Sequence, residues 1–198
     1  MMTNRERILA LLDGKAPDRV PWIARIEQWY LGRVKDGSLP QRFQGMSLRQ
    51  IARLLRTGHP ARQGIIFKPR YEGMEVRIER GPKQVAERFI TPYGTLTSRH
   101  VATGYFEGHQ EIAALLEYPL KSAQDLVVWE YVAEHTYYDP AYQEYLAYEV
   151  DVGDDGYPMV LAGDCPFHHF ELRLVGYNDA FFMLMDHAQQ VEHLLTVM

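Results

Sequence analysis

Apolar residues recur near the start of the chain at helical spacing. Ile8, Leu11 and Leu12 follow a Thr3-x-x-Glu6 capping box and Gly14 closes the segment, which predicts a helix over 4–13. A Pro-marked turn then leads into a continuous apolar run at 20–24. This reads as a buried strand that releases Arg25, Glu27 and Tyr30 into a loop and a second helix. Ser47 and Gln50 form another box, opening a helix that ends by Gly58, and "GIIFK" at 64–68 predicts a second short buried strand. From Met74 the period changes to two. "MEVRIER", "QVAERFI" and "TLTSRHVA", separated by "GPK" and "TPYG", predict an antiparallel meander. Ser122 caps a helix to about 134, and Asp139-Pro140 opens another to about 151. The apolar run at 157–163 predicts a third buried strand, and helices fill the remainder. Among them, "AFFMLMDH" reads as the core face of a helix, and Tyr137 and Tyr138 as packing residues.

Strands that are apolar throughout and alternate with amphipathic helices imply a parallel β/α architecture. A closed (β/α)8 barrel typically takes about 250 residues, more than the 198 of this chain. The expected fold class is therefore α/β: the N-terminal half of a (β/α)8 TIM barrel, with an antiparallel β-meander inserted at about 74–103. The C-terminal half of the barrel is expected to lie outside these residues. A half-barrel leaves sheet edges unpaired and apolar surface bare, so a homodimer or association with the missing half is expected.

Composition narrows the function classes. A net charge of −5 excludes a general nucleic-acid binder, which needs a basic footprint. Arg49, Arg53, Arg56 and Arg62 do cluster, but at helical spacing and mixed with Leu, as on a solvated helix face. A single cysteine rules out an internal disulfide and fits a reducing compartment. No run approaches the ~20 apolar residues of a membrane span, and the start lacks the pattern of a signal peptide. A cytoplasmic protein with no nucleic-acid or membrane partner is expected.

"MTNRERILALLDGKAPDRVPW", "TPYGTLTSRH", "EYPLKSAQDL", "YDPAYQEY" and "LAGDCPFHHFELRLVGYNDAFFMLMDHAQQVEHLL" together resemble, in the same order, proteins of the uroporphyrinogen decarboxylase superfamily. The resemblance implies a (β/α)8 barrel and one of two chemistries. One is cofactor-free decarboxylation of a tetrapyrrole. The other is methyl transfer between a corrinoid protein or small methyl donor and a small acceptor, often with zinc activating a thiolate. The decarboxylase pattern carries a second arginine where this chain has Trp29, an aspartate after the next strand where "IIFKPRYEG" offers Lys68, and a tyrosine where Leu172 stands. Glu27 adds negative charge where a polycarboxylate has to sit. The "PRYEGMEVRIERG" meander before "TPYGTL" is closer to the methyltransferase-like branch, so methyl transfer is the expected activity of the full-length protein. Tetrapyrrole decarboxylation and a catalytically incomplete half-barrel serving as a binding or assembly module are the alternatives. Zinc and a corrinoid are implied for the full-length protein. The resemblance places the zinc ligands in the second half of the barrel, so no metal ligand is assigned here.

"AGDCPFHHF" brings Cys165, His168 and His169 together beside Asp164. Zinc needs three or four convergent ligands. Cys165-x-x-His168 supplies two, His169 points elsewhere, and His100, His109 and His135 lack matching spacing. A Cys–His nucleophile pair needs an orienting group that nothing specifies. A strand-end loop at a barrel mouth remains, where Gly163 and Asp164 meet a ligand, Pro166 fixes the turn, and Phe167 and His168 line the pocket. In the plainer alternative Cys165 is a small buried filler and His169 a surface residue. Arg25 suits a carboxylate, sulfonate or phosphate, Glu27 acts as its partner or as a general acid, and Tyr30 stands beside them. The candidate catalytic residues are Glu27 and His168. The candidate substrate-binding residues are Arg25, Tyr30, Gly163, Asp164 and Phe167.

Overall fold

The first capping box closes as its spacing requires. Thr3 Oγ1 accepts from the Glu6 amide at 3.1 Å while the Glu6 carboxylate accepts from the Thr3 amide at 2.7 Å. Ser47 with Gln50 builds the same device, and at Ser122 the Asp125 carboxylate accepts from both the Ser122 amide and its hydroxyl. The computed structural model describes residues 1–82, 84–101 and 114–198. Helices α1 (Asn4–Leu12), α2 (Glu27–Lys35) and α3 (Leu48–Leu54) come first. Strands β1 (Phe67–Tyr71), β2 (Glu75–Arg80), β3 (Gln84–Thr91), β4 (Gly94–Val101) and β5 (Ala114–Glu117) follow. Helix α4 (Ala123–Glu134), strand β6 (Thr136–Pro140) and helix α5 (Tyr142–Val152) come next. The chain closes with α6 (Pro166–His169), a π turn at Phe170–Val175, α7 (Tyr177–Asp186) and α8 (Ala188–Val197).

The described residues form two units: 1–68 with 140–162, and 69–139 with 163–198. In the first, α1 is held by an ion pair. The Arg7 side chain is only 3% exposed and meets Asp18 at 2.6 Å, which anchors the Pro17-Asp18-Arg19 turn beneath the helix. That hydrogen bond from Arg7 holds the Asp18 carboxyl down to about 2. Ala10, Phe43, Ile51, Ala52, Ala61 and Val152 are buried here.

The three apolar runs predicted as strands lie in this unit, but none forms a ladder. Gly58 N–H donates to Trp22 O at 2.8 Å, and Ala24 N–H to Thr57 Oγ1 at 3.0 Å. His59 N–H donates to Asp155 O at 2.8 Å, Met159 N–H to Ala61 O at 2.7 Å, and Gly64 N–H to Met159 O at 3.1 Å. Gly64 and Val160 thereby make a single parallel bridge. Residues 20–24, expected as a strand, have irregular backbone, and Val20 and Trp22 are exposed. Likewise 64–68 and 157–163 contribute one bridge rather than two strands, the earlier run becoming regular only at β1.

The second unit owes its order to apolar contact. Strands β2, β3, β4 and β5 pair in sequence as an antiparallel sheet. Its register aligns Val76, Phe89 and Leu96 across three strands on the face that meets α4. This is the expected meander; residues 83, 102 and 103 of its predicted span lie outside the described residues. Leu126, Val128 and Val132 of α4 join Val191 and Leu194 of α8 in the same core. The π turn lets Phe170, Leu174 and Val175 all face it, each at most 1% exposed. Gly176 N–H donates to Glu171 O at 3.0 Å, the wide pairing of such a turn.

Strand β6 was not expected. Residues 136–140 pair with β1 instead of opening the following helix, which starts at Tyr142. Ala141 N–H donates to Ile66 O and Glu72 N–H to His135 O, so the two strands run antiparallel. The architecture is mixed α/β with antiparallel sheets, and no closed barrel is formed among the described residues.

Gly176 tests the π turn. Its φ of 93° belongs to glycine, and a Cβ there would lie 2.7 Å from the Tyr118 ring. Gly176→Ala should cost about 1–3 kcal/mol, read as a lower urea midpoint by circular dichroism. An unchanged midpoint would show that the turn does not need this conformation.

Candidate functional site

The first predicted group follows the 20–24 run. Arg25 is exposed and pairs with no described residue, so the ion pair that its spacing from Glu27 allows is not made. Glu27 is half-buried and opens α2, where a negative charge suits the positive end of the helix dipole. Tyr30, one turn on, donates its hydroxyl to Met46 O at 3.0 Å. It forms a wall of an open cleft of about 440 Å³, with Arg33, Val34, Leu39, Gly45 and Met46 among the other lining residues. That volume suits a small molecule.

A histidine outside the predicted groups, His59, lies within electrostatic reach of Glu27. The Nδ1 atom of His59 is fully buried and has no hydrogen-bond partner. Its surroundings are charged. Arg49 donates from Nε to Asp155 at 2.5 Å, from Nη1 to Asp151 at 3.1 Å, and from Nη2 to the carbonyls of Asp151 and Val152. Arg53 adds bonds of 2.8 and 2.6 Å to Asp155. Burial works against the charge on Asp155, but Arg53 and Arg49 outweigh it and hold its carboxyl below the ordinary value. Burial pushes the His59 imidazole below its ordinary value, and the Arg49 cation adds to this; Asp155, Glu27 and Asp151 pull the other way without prevailing. His59 is therefore neutral at pH 7, with an unused nitrogen and a carboxylate within electrostatic reach. A lone histidine between Gly58 and Pro60 carries no pattern. Its one signal is its place between the helix that ends by Gly58 and the apolar run at 64–68.

The second predicted group lies in the other unit. Gly163, with φ of 93°, precedes Asp164, Cys165 and the start of α6, and residues 164–168 are exposed. The Asp164 carboxylate meets Arg173 at 3.5 Å, and Cys165 is an exposed N-cap rather than a buried filler. Phe167 and His168 both point to solvent. The inward histidine is His169, stacked on Trp129 at 6.1 Å between ring centres. Burial lowers its pKa, with Asp164 opposing and Arg173 assisting. Consecutive helical residues differ by about 100° in direction, so only one of the pair can face Trp129.

No group of three His, Cys, Asp or Glu side chains that could hold a metal occurs among the described residues. His135 is stacked on Tyr131, and His100 faces Ser98 at 3.4 Å. His109 lies outside the described residues. Among the described residues, no helix is long and apolar enough to cross a membrane.

The buried His59 makes stability depend on pH with a definite sign. Its folded-state pKa lies below the ordinary 6.5, so the unfolded chain takes up the proton first. The stabilisation is complete above pH 6.5 and is lost as pH falls through the folded-state value. His59→Gln should flatten the slope of urea stability against pH below 6.5 relative to the parent; equal slopes would show that His59 does not titrate this way. No protein-family model, curated protein or solved structure matches the chain.

Proposed function

We propose that the chain forms the first part of a (β/α)8 barrel of the uroporphyrinogen decarboxylase superfamily, in its methyltransferase-like branch. Its activity in this reading is methyl transfer from a corrinoid or small methyl donor to a small acceptor. The observation that supports the reading is the single parallel bridge between two of the apolar runs, Gly64 with Val160, as neighbouring strands of such a barrel would make it. Residues 20–24 bond to Thr57 and Gly58, just ahead of the second run.

The residues at the end of the first run favour methyl transfer over decarboxylation. Trp29 stands where a second arginine would grip a substrate carboxylate, and it packs edge-to-face on Phe43 at 6.0 Å. Lys68, in the place of the family aspartate, is paired with Glu144. One exposed guanidinium remains, at Arg25, which suits a single anionic group rather than a polycarboxylate. In this reading Arg25 holds that group. Glu27 takes the proton an acceptor releases as its lone pair bonds to the methyl carbon and the donor bond breaks toward the leaving group. His59 lies within electrostatic reach of Glu27, and Tyr30 walls an open cleft. Asp164, Phe167 and His168, with the backbone at Gly163, are the ligand contacts of the second group. The described residues supply no zinc site, and no step passes through one.

Titrating the protein with methylcobalamin and, separately, with uroporphyrinogen tests the reading through the absorption spectra. Methylcobalamin should bind, and Arg25→Ala should weaken binding about 10–100-fold, the worth of one charged hydrogen bond. Binding of uroporphyrinogen alone, or of neither compound, would sink it.

A further inference from the structure

Strand β2 is one edge of the four-stranded sheet, and its outer side pairs with no strand among the described residues. Native sheets blunt such an edge with a short strand, a proline or a bulge. The opposite edge, β5, is four residues long, and its pairing with β4 shifts between Arg99 and His100. Strand β2 is six residues long, has no proline and keeps an unbroken register with β3 from Glu75 to Arg80. All of its residues but Val76 are exposed.

The hairpin fixes which backbone groups face outward. Gly81 N–H donates to Gln84 O at 2.8 Å, so these two form a hydrogen-bonded pair. Bonded and non-bonded pairs alternate along an antiparallel ladder. Counting back from the turn, Glu79, Arg77 and Glu75 bond to β3, while Arg80, Ile78 and Val76 direct their N–H and C=O groups away from it. Ile78 lies on the same face as Val76, the core face, yet it is 53% exposed.

We propose that β2 pairs with β2 of a second copy, antiparallel about a two-fold axis at Ile78, so that the two sheets become one. The backbone phase suits a second copy. Ile78 faces the partner's Ile78, Val76 the partner's Arg80, and Arg80 the partner's Val76. These are the outward-directed residues of both chains, so each pair exchanges two hydrogen bonds.

Charge selects this register. On the other face Arg77 meets the partner's Glu79, and Glu79 the partner's Arg77, at non-bonded positions where side chains come closest. Arg77 gives Nε and Nη2 to Glu75 at 2.6 and 2.9 Å, which leaves Nη1 for a second carboxylate. Glu79 meets Arg88 only at 3.4 Å. An axis at Arg77 would set Arg77 on its own copy and Glu75 on Glu79, and an axis at Glu79 would set Glu79 on its own copy. Like charges opposed in this way are destabilising. An axis at Val76 would overlap the strands only over Glu75–Arg77. With the axis at Ile78, the two exposed isoleucines also meet on the core face, and the stem of Arg80 covers the partner's Val76.

This inference does not depend on the methyl-transfer reading. Sedimentation equilibrium over a wide concentration range should give a species of twice the 23.0 kDa chain mass. Arg77→Glu should raise the dimer dissociation constant about 10–30-fold with an unchanged circular dichroism spectrum, because both attractive cross-strand pairs become repulsive. Adding Glu79→Arg to that variant should restore the parent's affinity. A second measurement reads the register directly. In a Cys165→Ser background, Ile78→Cys should cross-link to a covalent dimer under mild oxidation, whereas Val76→Cys should not, because its copy lies opposite Arg80. A protein that stays at 23.0 kDa at every concentration overturns the proposal. So does a dimer indifferent to Arg77→Glu, a double variant that binds no tighter than the single one, or cross-linking faster through position 76 than through 78.

Discussion

The arrangement of the first unit turns on Arg49. A guanidinium carries five N–H donors in a rigid fork, and Arg49 directs its fork to two carboxylates and two carbonyls within 151–155. The carbonyls belong to the last turn of α5, where a cation also answers the helix dipole. Asp155 is a half-buried carboxylate, and Arg53 and Arg49 together outweigh its desolvation. Once they are in place, the backbone after α5 is held beside residues 59–64. Gly156 permits the approach, since a Cβ there would lie 2.6 Å from His59 O. The same cation that builds the junction also works against a second positive charge on His59. Structure and electrostatics thus have one source.

The second unit solves the same problem without charge. Phe89 lies between Tyr71 and Trp129 at 5.9 and 5.3 Å, and Trp129 carries the row on to His169. Burial of these rings, together with the row through Val76 and Leu96, fixes which face of the meander is inward. The π turn after α6 is the adjustment that lets residues 170, 174 and 175 share that interior. In an uninterrupted α-helix Val175 would point about 140° away from Phe170. His169 is therefore placed by packing, and its lowered basicity is a by-product of the core it closes.

What was legible in the sequence divides along the range of the interaction. Capping boxes are local, and Thr3-x-x-Glu6, Ser47-x-x-Gln50 and the cap at Ser122 all located their helices. Period-two alternation is local too, and the meander followed from it. The apolar runs at 20–24, 64–68 and 157–163 were another matter. A run states that a segment prefers burial but not which backbone it pairs with, and here one parallel bridge is all that forms. Tyr137-Tyr138-Asp139-Pro140 misled for the opposite reason. Asp-Pro is a good helix start by local rules, yet pairing with β1 keeps Thr136–Pro140 extended, and Asp139 is tied to Arg70 at 3.0 Å.

The candidate site shows the same division more sharply. Cys165, His168 and His169 drew attention because reactive residue types stood together, but adjacency along a helix sends them in different directions, and two of the three end in solvent. His59 stood alone and drew none. Its chemistry comes from burial and from Arg49, Asp155 and Glu27, the first ten residues away in sequence and the others farther. Proton-transfer chemistry depends on how far surroundings move a group from its behaviour in water, and such surroundings are assembled by the fold rather than by neighbours along the chain. Of the residues predicted for catalysis, Glu27 is one of the charges that act on His59, and His168 is exposed.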